Sequence, residues 1–358
     1  MKNVVRNFMI LCIFIILGSA AINNRIRTSS DIEIKDVYAY TLDENEEHMS
    51  LDSENIDSDI ENTDEGLNEE EIIEEEEPEK VIGKENEEID IEGDLSNPLF
   101  NKDIDIIERI DNYLGDDKCR TSFIYYNLVN EETLSFNEDL YMDAASLYKL
   151  GLSLVAYNMV DNGEITLDDL VYYSPWQYQG GTGILQYDLS FGALPLRTLI
   201  EYSIKYSDNI AATMIYSYIG GWSNFKWRLF EILDIDYGDY DNITSARVEL
   251  EILRYIYENR NNSNYATLID YLKNTDFHDR LDKYLPQDIV AHKIGSNEGY
   301  THDIGIVFTD EPYIIIMMTD NVYDGPDKIA DISKAMYLYN IDNQKSIETT
   351  ATHIMMEY

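Results

Sequence analysis

The sequence predicts an α+β fold, with strands near both ends of the folded part and a helical half inserted between them. Two β-rich runs open it, at 121–129 and 133–136 around an Asn130-Glu131-Glu132 turn, and three close it, at 289–294, 304–309 and 313–319. Between these runs the apolar residues recur at helical spacing. The 358-residue chain could hold two domains, but its uneven composition argues for one, at residues 98–340, followed by a tail at 341–358.

From the N-terminus, Lys2 and Arg6 precede an apolar run, residues 8–22, that ends in small residues (Gly18 to Ala21). That is the pattern of a secretory signal, yet the run is only slightly short of a membrane span. Residues 1–24 therefore read equally as a signal peptide or a retained membrane anchor. The protein is expected to be exported, on the extracellular face, either secreted or tethered, and to meet the membrane only through this segment. Residues 25–97 are acidic and poor in aromatics, and include Glu74-Glu75-Glu76-Glu77. Such a stretch cannot bury enough apolar surface to offset its ordering entropy, so a disordered, self-repelling tether is expected. A net charge of −44 argues against nucleic acid and against direct adhesion to anionic lipid. The two cysteines, Cys12 and Cys119, give no disulfide framework and no zinc spacing with histidine. The folded part must rest on its core, for which about 260 residues suffice. A monomer is expected.

Within the folded part, Ile104, Ile106, Ile107, Ile110 and Leu114 give one buried face to a helix over 103–114. After the first strand pair, Asp143-Ala144-Ala145-Ser146-Leu147-Tyr148-Lys149 opens an apolar helix, which Asp161-Asn162-Gly163 ends. Residues 172–192 are turn-rich around Gly180-Gly181-Thr182-Gly183. That run precedes no phosphate-binding helix and lacks the lysine of a P-loop, so it reads as a flexible cleft rim. Helices are predicted over 195–206, 209–218, 222–233, 245–259 and 265–272, and a last one over 326–338.

Three short stretches carry chemistry. Ser146 and Lys149 stand three apart and share a helix face, which brings an amine beside a hydroxyl. A serine is a poor nucleophile until a base removes its proton, and a desolvated lysine can be that base. Tyr206-Ser207-Asp208-Asn209 directly precedes an Ala-rich helix, and His292-Lys293-Ile294-Gly295-Ser296 ends a strand-like run. Each stretch alone has a plainer reading, as a surface lysine, a helix cap or a strand end. Together and in this order they resemble the penicillin-recognising serine enzymes, the class A β-lactamases and penicillin-binding proteins, with their Ser-x-x-Lys, Ser-Asp-Asn and Lys-Thr-Gly motifs. Gly220-Gly221 and Thr244-Ser245-Ala246-Arg247 also fall where that family has similar segments.

The resemblance spans roughly residues 103–338. It implies a β-lactamase/transpeptidase-like fold, with an antiparallel sheet, flanking terminal helices and an inserted all-helical subdomain. The implied substrate is a β-lactam or a peptidoglycan-derived D-alanyl peptide, attacked by Ser146 to give an acyl-enzyme. By the same resemblance Lys149 accepts the proton, Ser207 relays it to the leaving nitrogen and Lys293 holds Ser207. Asn209 orients Lys149 and the substrate amide, and the backbone N–H groups of Ser146 and Ser296 form an oxyanion hole beside Gly295. No cofactor and no metal is implied.

Two departures matter. Ile294 stands where the family usually has a hydroxyl residue, with Ser296 or Thr301 as candidate replacements. The interval from Gly221 to Thr244 is shorter than the family's and lacks its Glu-x-x-Leu-Asn motif, whose glutamate activates the deacylating water. Glu231, Asp234, Asp236, Asp239 and Asp241 occur there and read as a solvated acidic loop. Slow deacylation is expected. The alternative is a domain that senses or binds β-lactams or wall fragments, by single-turnover acylation or without chemistry. A His302–Asp303 triad is disfavoured because sequence neighbours on a strand point to opposite faces. His278 and His292 show no evident partner, and a metal site from His292 and His302 is equally disfavoured.

Overall fold

The computed structural model describes residues 97–235 and 241–356. The expected leader and tether, residues 1–96, lie outside the described residues, as do Asp236 and Asp239. Among the described residues no helix is long and apolar enough to cross a membrane.

The first helix, α1 (Ile106–Leu114), starts at Ile106 rather than at residue 103, because the Asp105 side chain accepts from Ile107 N and caps it there. Strands β1 (Thr121–Asn127), β2 (Thr133–Phe136) and the short β3 (Met142–Asp143) follow. The helical half comprises α2 (Tyr148–Asp161), the hairpin-like pair β4 (Leu170–Tyr172) and β5 (Ala193–Pro195), then α3 (Leu196–Lys205), α4 (Asn209–Tyr218) and α5 (Trp222–Leu233). Strand β6 (Ile243–Thr244) pairs with β3 and leads into α6 (Ala246–Glu258) and α7 (Ser263–Lys273). The chain returns through β7 (Val290–Asn297), β8 (Tyr300–Val307) and β9 (Tyr313–Asp320), and ends in α8 (Gly325–Met356). This last helix continues beyond residue 338, where its apolar spacing was expected to stop.

The strands form one five-stranded antiparallel sheet in the order β2-β1-β9-β8-β7. Terminal strands therefore make one sheet around an inserted helical half, as the α+β reading requires. Alternation along each strand separates two cores. Phe123, Tyr125, Ile315 and Met317 face α1 and α8, where Ile106, Ile110, Ile329 and Met336 complete a buried cluster. Ile124, Ile304 and Ile316 face the helical half and join Leu150, Leu154 and Ile252. Helix α2 is buried on nearly every side, as an apolar helix at the centre of a helical layer must be.

The register places the site. Ile124 lies opposite Ile316, Ile316 opposite Ile304, and Ile304 opposite Lys293. Each isoleucine in that row stabilises by about 1.5–3 kcal/mol on burial. Lys293 ends the same row at the β7 edge, so the sheet delivers its amine into the seam with the helical half.

Candidate active site

Ser146 sits in a 3-10 turn, Ala145–Leu147, that runs directly into α2. Ala145 before it has φ +47°, a left-handed conformation that a residue with a side chain adopts at a cost of about 1–3 kcal/mol. The turn is held by Asp143, whose Oδ1 accepts from Ala145 N at 2.6 Å while its Oδ2 accepts from Asn297 Nδ2 of β7 at 3.1 Å. His302 Nε2 donates to Asp143 O at 2.8 Å, and its Nδ1 accepts from Thr319 N at 3.1 Å. That histidine is therefore a neutral, doubly bonded support for the turn. Gly295 is needed for the approach of β7, since a Cβ there would stand 3.0 Å from Ala144 O and 3.1 Å from Leu147 Cγ.

The four groups named from the sequence converge. Lys149 Nζ is 3.0 Å from Ser146 Oγ, 3.2 Å from Ser207 Oγ, 2.6 Å from Ser207 O and 2.7 Å from Asn209 Oδ1. Lys293 Nζ, carried on β7, donates to Ser207 Oγ at 3.0 Å. Ser207 thus bridges two amines, on a backbone with φ +50° just ahead of α4. Asp208 fixes that segment: its Oδ1 accepts from Ala211 N and caps α4, and its Oδ2 accepts from Leu185 N, both at 2.8 Å. Gly183 packs so closely on Asp208 that a Cβ would meet its backbone at 2.4 Å.

Both lysines are fully buried. Burial, and then the charge of Lys293, push the Lys149 amine well below its ordinary 10.5, against a smaller opposing pull from Asp208. Burial pushes Lys293 down to about 7, with Asp303 opposing and Arg280 adding to the fall. A neutral Lys149 has two N–H groups for Ser207 O and Asn209 Oδ1. Its lone pair is then free for the Ser146 hydroxyl proton.

A cavity of about 370 Å³ opens on this cluster, within the usual range for small-molecule sites. Ser146, Ser207, Asn209 and Ser296 line it, and Gly180, Gly181 and Thr182 form part of its wall, where the sequence placed a rim. Asn209 Nδ2 donates to Gly180 O and Thr182 Oγ1 to Ser207 O, so the rim is bonded to the motif beneath it. Of the two candidate hydroxyls, Ser296 lines the cavity, as does Ile294, whereas Thr301 is not among the lining residues. None of the described lining residues is acidic. Glu231 is exposed on α5 and Asp234 is its left-handed C-cap.

Two contributors were missed from the sequence. Arg280, buried in the segment before β7, donates through Nη2 to Ser296 Oγ at 2.7 Å and through Nη1 to Gly295 O and His302 O. Asn242 lines the cavity, donates to Ala145 O at 3.1 Å and keeps a buried Oδ1 with no described partner. Neither residue lies in a motif. One signal was available for Asn242: it stands two residues ahead of the Thr244-Ser245 segment that resembles the family.

The histidines need one correction. His302 and Asp303 do point to opposite faces, but His278 and His292 are not partnerless. On the sheet face away from Lys293, His292 Nδ1 is bonded to the Asp303 carboxylate at 2.9 Å, and its Nε2 lies 3.3 Å from Asp282 Oδ2. His278 Nδ1 bonds the same Asp282 oxygen. The sequence hides these contacts because they join a loop to two strands.

A family model described as the beta-lactamase enzyme family matches residues 105–340. Beta-lactamase VEB-1 of Pseudomonas aeruginosa is 22% identical, with 65% of this chain and 90% of that protein covered. Among solved structures, a mutant of PBP-A described as an acyl-enzyme complex with penicillin G superposes with a TM-score of 0.60 at 22% identity, over 66% of this chain and 96% of that one. A beta-lactamase from Sphaerobacter thermophilus superposes with a TM-score of 0.57 at 21% identity, over 65% and 97%.

Proposed function

This chain belongs to the beta-lactamase enzyme family, and on that premise we propose that it is a serine hydrolase that is acylated at Ser146 by β-lactams or D-alanyl peptides and releases the acyl group slowly. The single observation that carries acylation is the Lys149 amine, desolvated and 3.0 Å from Ser146 Oγ. As Oγ bonds to the carbonyl carbon, its proton passes to Lys149 Nζ. When the carbon–nitrogen bond breaks, Ser207 Oγ gives its proton to the leaving nitrogen and is reprotonated from the amines that flank it at 3.0 and 3.2 Å. The backbone N–H groups of Ser146 and Ser296 are assigned to the developing oxyanion, where one donor is worth about 3–4 kcal/mol. Ser296 and the Arg280 behind it present hydroxyl and cation to an anionic substrate.

Slow release is favoured because no described residue of the cavity wall is a carboxylate able to activate water. The same observation favours the single-turnover sensing alternative, which shares the acylation step. Export, with membrane contact through residues 1–24 alone, belongs to the same reading. The test is a chromogenic cephalosporin. The expected trace is a burst of about one equivalent followed by a much slower steady state. Rapid linear turnover from the first seconds would overturn slow release, and absence of any burst or turnover would overturn acylation.

A further inference from the structure

Behind the sheet, on the face of β7 away from the cavity, lies a second cluster that the proposed chemistry does not use. We propose that His278, Asp282 and His292 bind a divalent transition ion of the zinc class, with Asp303 orienting His292 from behind. The ligand atoms of the three residues all lie within 4.8 Å of one another. His292 Nε2 and Asp282 Oδ2 are 3.3 Å apart, and ligands about 2.05 Å from a tetrahedral centre stand about 3.3 Å from each other. Two imidazoles and a carboxylate form a donor set suited to zinc.

Two further features point to a ligand rather than to a plain hydrogen-bonded network. His292 and Asp282 are each only 1% exposed, yet Asp282 Oδ1 has no hydrogen-bond partner among the described residues and His292 Nε2 has only the 3.3 Å contact to Asp282 Oδ2. Buried polar atoms are otherwise nearly always satisfied. His292 Nδ1 meanwhile contacts both oxygens of the buried Asp303 carboxylate, at 2.9 and 3.0 Å. A ligating histidine typically gives its other ring N–H to a carboxylate in this way, which fixes the tautomer and aims the free nitrogen at the metal. His278, whose side chain is 35% exposed, leaves an entry path from solvent.

The ion would clip the loop bearing His278 and Asp282 to β7. Arg280 lies between those two ligands in sequence and reaches Ser296 and Gly295, while Lys293 follows His292. The clip would thus hold the cavity's cations in register from behind, whether or not Ser146 is acylated.

The full chain, stripped with a chelator, is titrated with zinc by calorimetry and with cobalt(II) by visible absorption. The expected result is one equivalent per chain with the intense absorption of four-coordinate cobalt, a signature that loose binding to acidic side chains does not give. His278→Ala, at a position about a third exposed, should lose that equivalent while the chain stays folded by circular dichroism. Asp303→Asn should keep it with affinity reduced about 10–100-fold. Equal zinc uptake by the wild type and His278→Ala, or no four-coordinate cobalt spectrum in a folded wild type, would overturn the site.

Discussion

Replacing Lys293 by methionine should remove a specific pH dependence from the stability of the fold. The side chain is about 1% exposed, and burial lowers its amine from 10.5 to about 7. The sign follows from proton counting: between those two values the unfolded chain holds a proton that the folded one has released, so stability rises with pH. At lower pH both states are protonated, and the whole cost of a buried ammonium is carried. At 1.36 kcal/mol per unit, the wild type should gain about 2.7 kcal/mol relative to Lys293→Met between about pH 6 and pH 9. The neighbouring amine adds to this with the same sign. Lys293 is the second cause of the depression at Lys149, so its removal raises Lys149 toward 10.5 and flattens the variant further. The two lysines titrate as a coupled pair, which makes the difference between proteins the meaningful quantity. Urea unfolding of both proteins at several pH values measures it. Parallel stability curves would refute the reasoning, because they would mean that the Lys293 amine does not titrate in this window.

Lys149→Ala should lower the rate of adduct formation at Ser146 by about 10²–10⁴-fold, read by stopped-flow with a fluorescent penicillin, since the proton acceptor is lost. Asp208→Ala should cost about 3 kcal/mol in urea unfolding, because the Ala211 and Leu185 amides both lose their buried acceptor. His302, pushed down to about 4 by burial, stays neutral in the fold while the unfolded chain takes up a proton below its ordinary 6.5. Stability supplied by the neutral ring should therefore fall by about 3 kcal/mol as pH drops from 6.5 toward 4, and His302→Gln should remove that acid slope.

Some of this was legible in the sequence because local chemistry punctuates it. Helices α4 and α5 begin and end where expected, since Asp208 caps one and Gly220-Gly221 separates the two. The convergence of Ser146, Lys149, Ser207 and Lys293 was legible only through three stretches in a recognisable order, each uninformative alone. Strand β8 was read from residue 304 but begins at Tyr300, because Thr301, His302 and Asp303 look like a polar loop. In the fold each finds a bond: Thr301 O to Thr319, His302 to Asp143, Asp303 to His292. Arg280 left no signal, since its contacts are to Ser296 Oγ and to carbonyls of two strands, and backbone acceptors carry no sequence identity. The left-handed turn at Ala145 was equally hidden, as alanine is not a residue that advertises positive φ.

Intact mass spectrometry after mixing the full chain with a penicillin, followed over time, bears most directly on the central claim. A single adduct of the drug's own mass should form on the wild type, persist long after free drug is removed, and be absent from Ser146→Ala. An adduct that survives in Ser146→Ala, or a wild-type chain that never gains mass while the drug stays intact, would contradict the account.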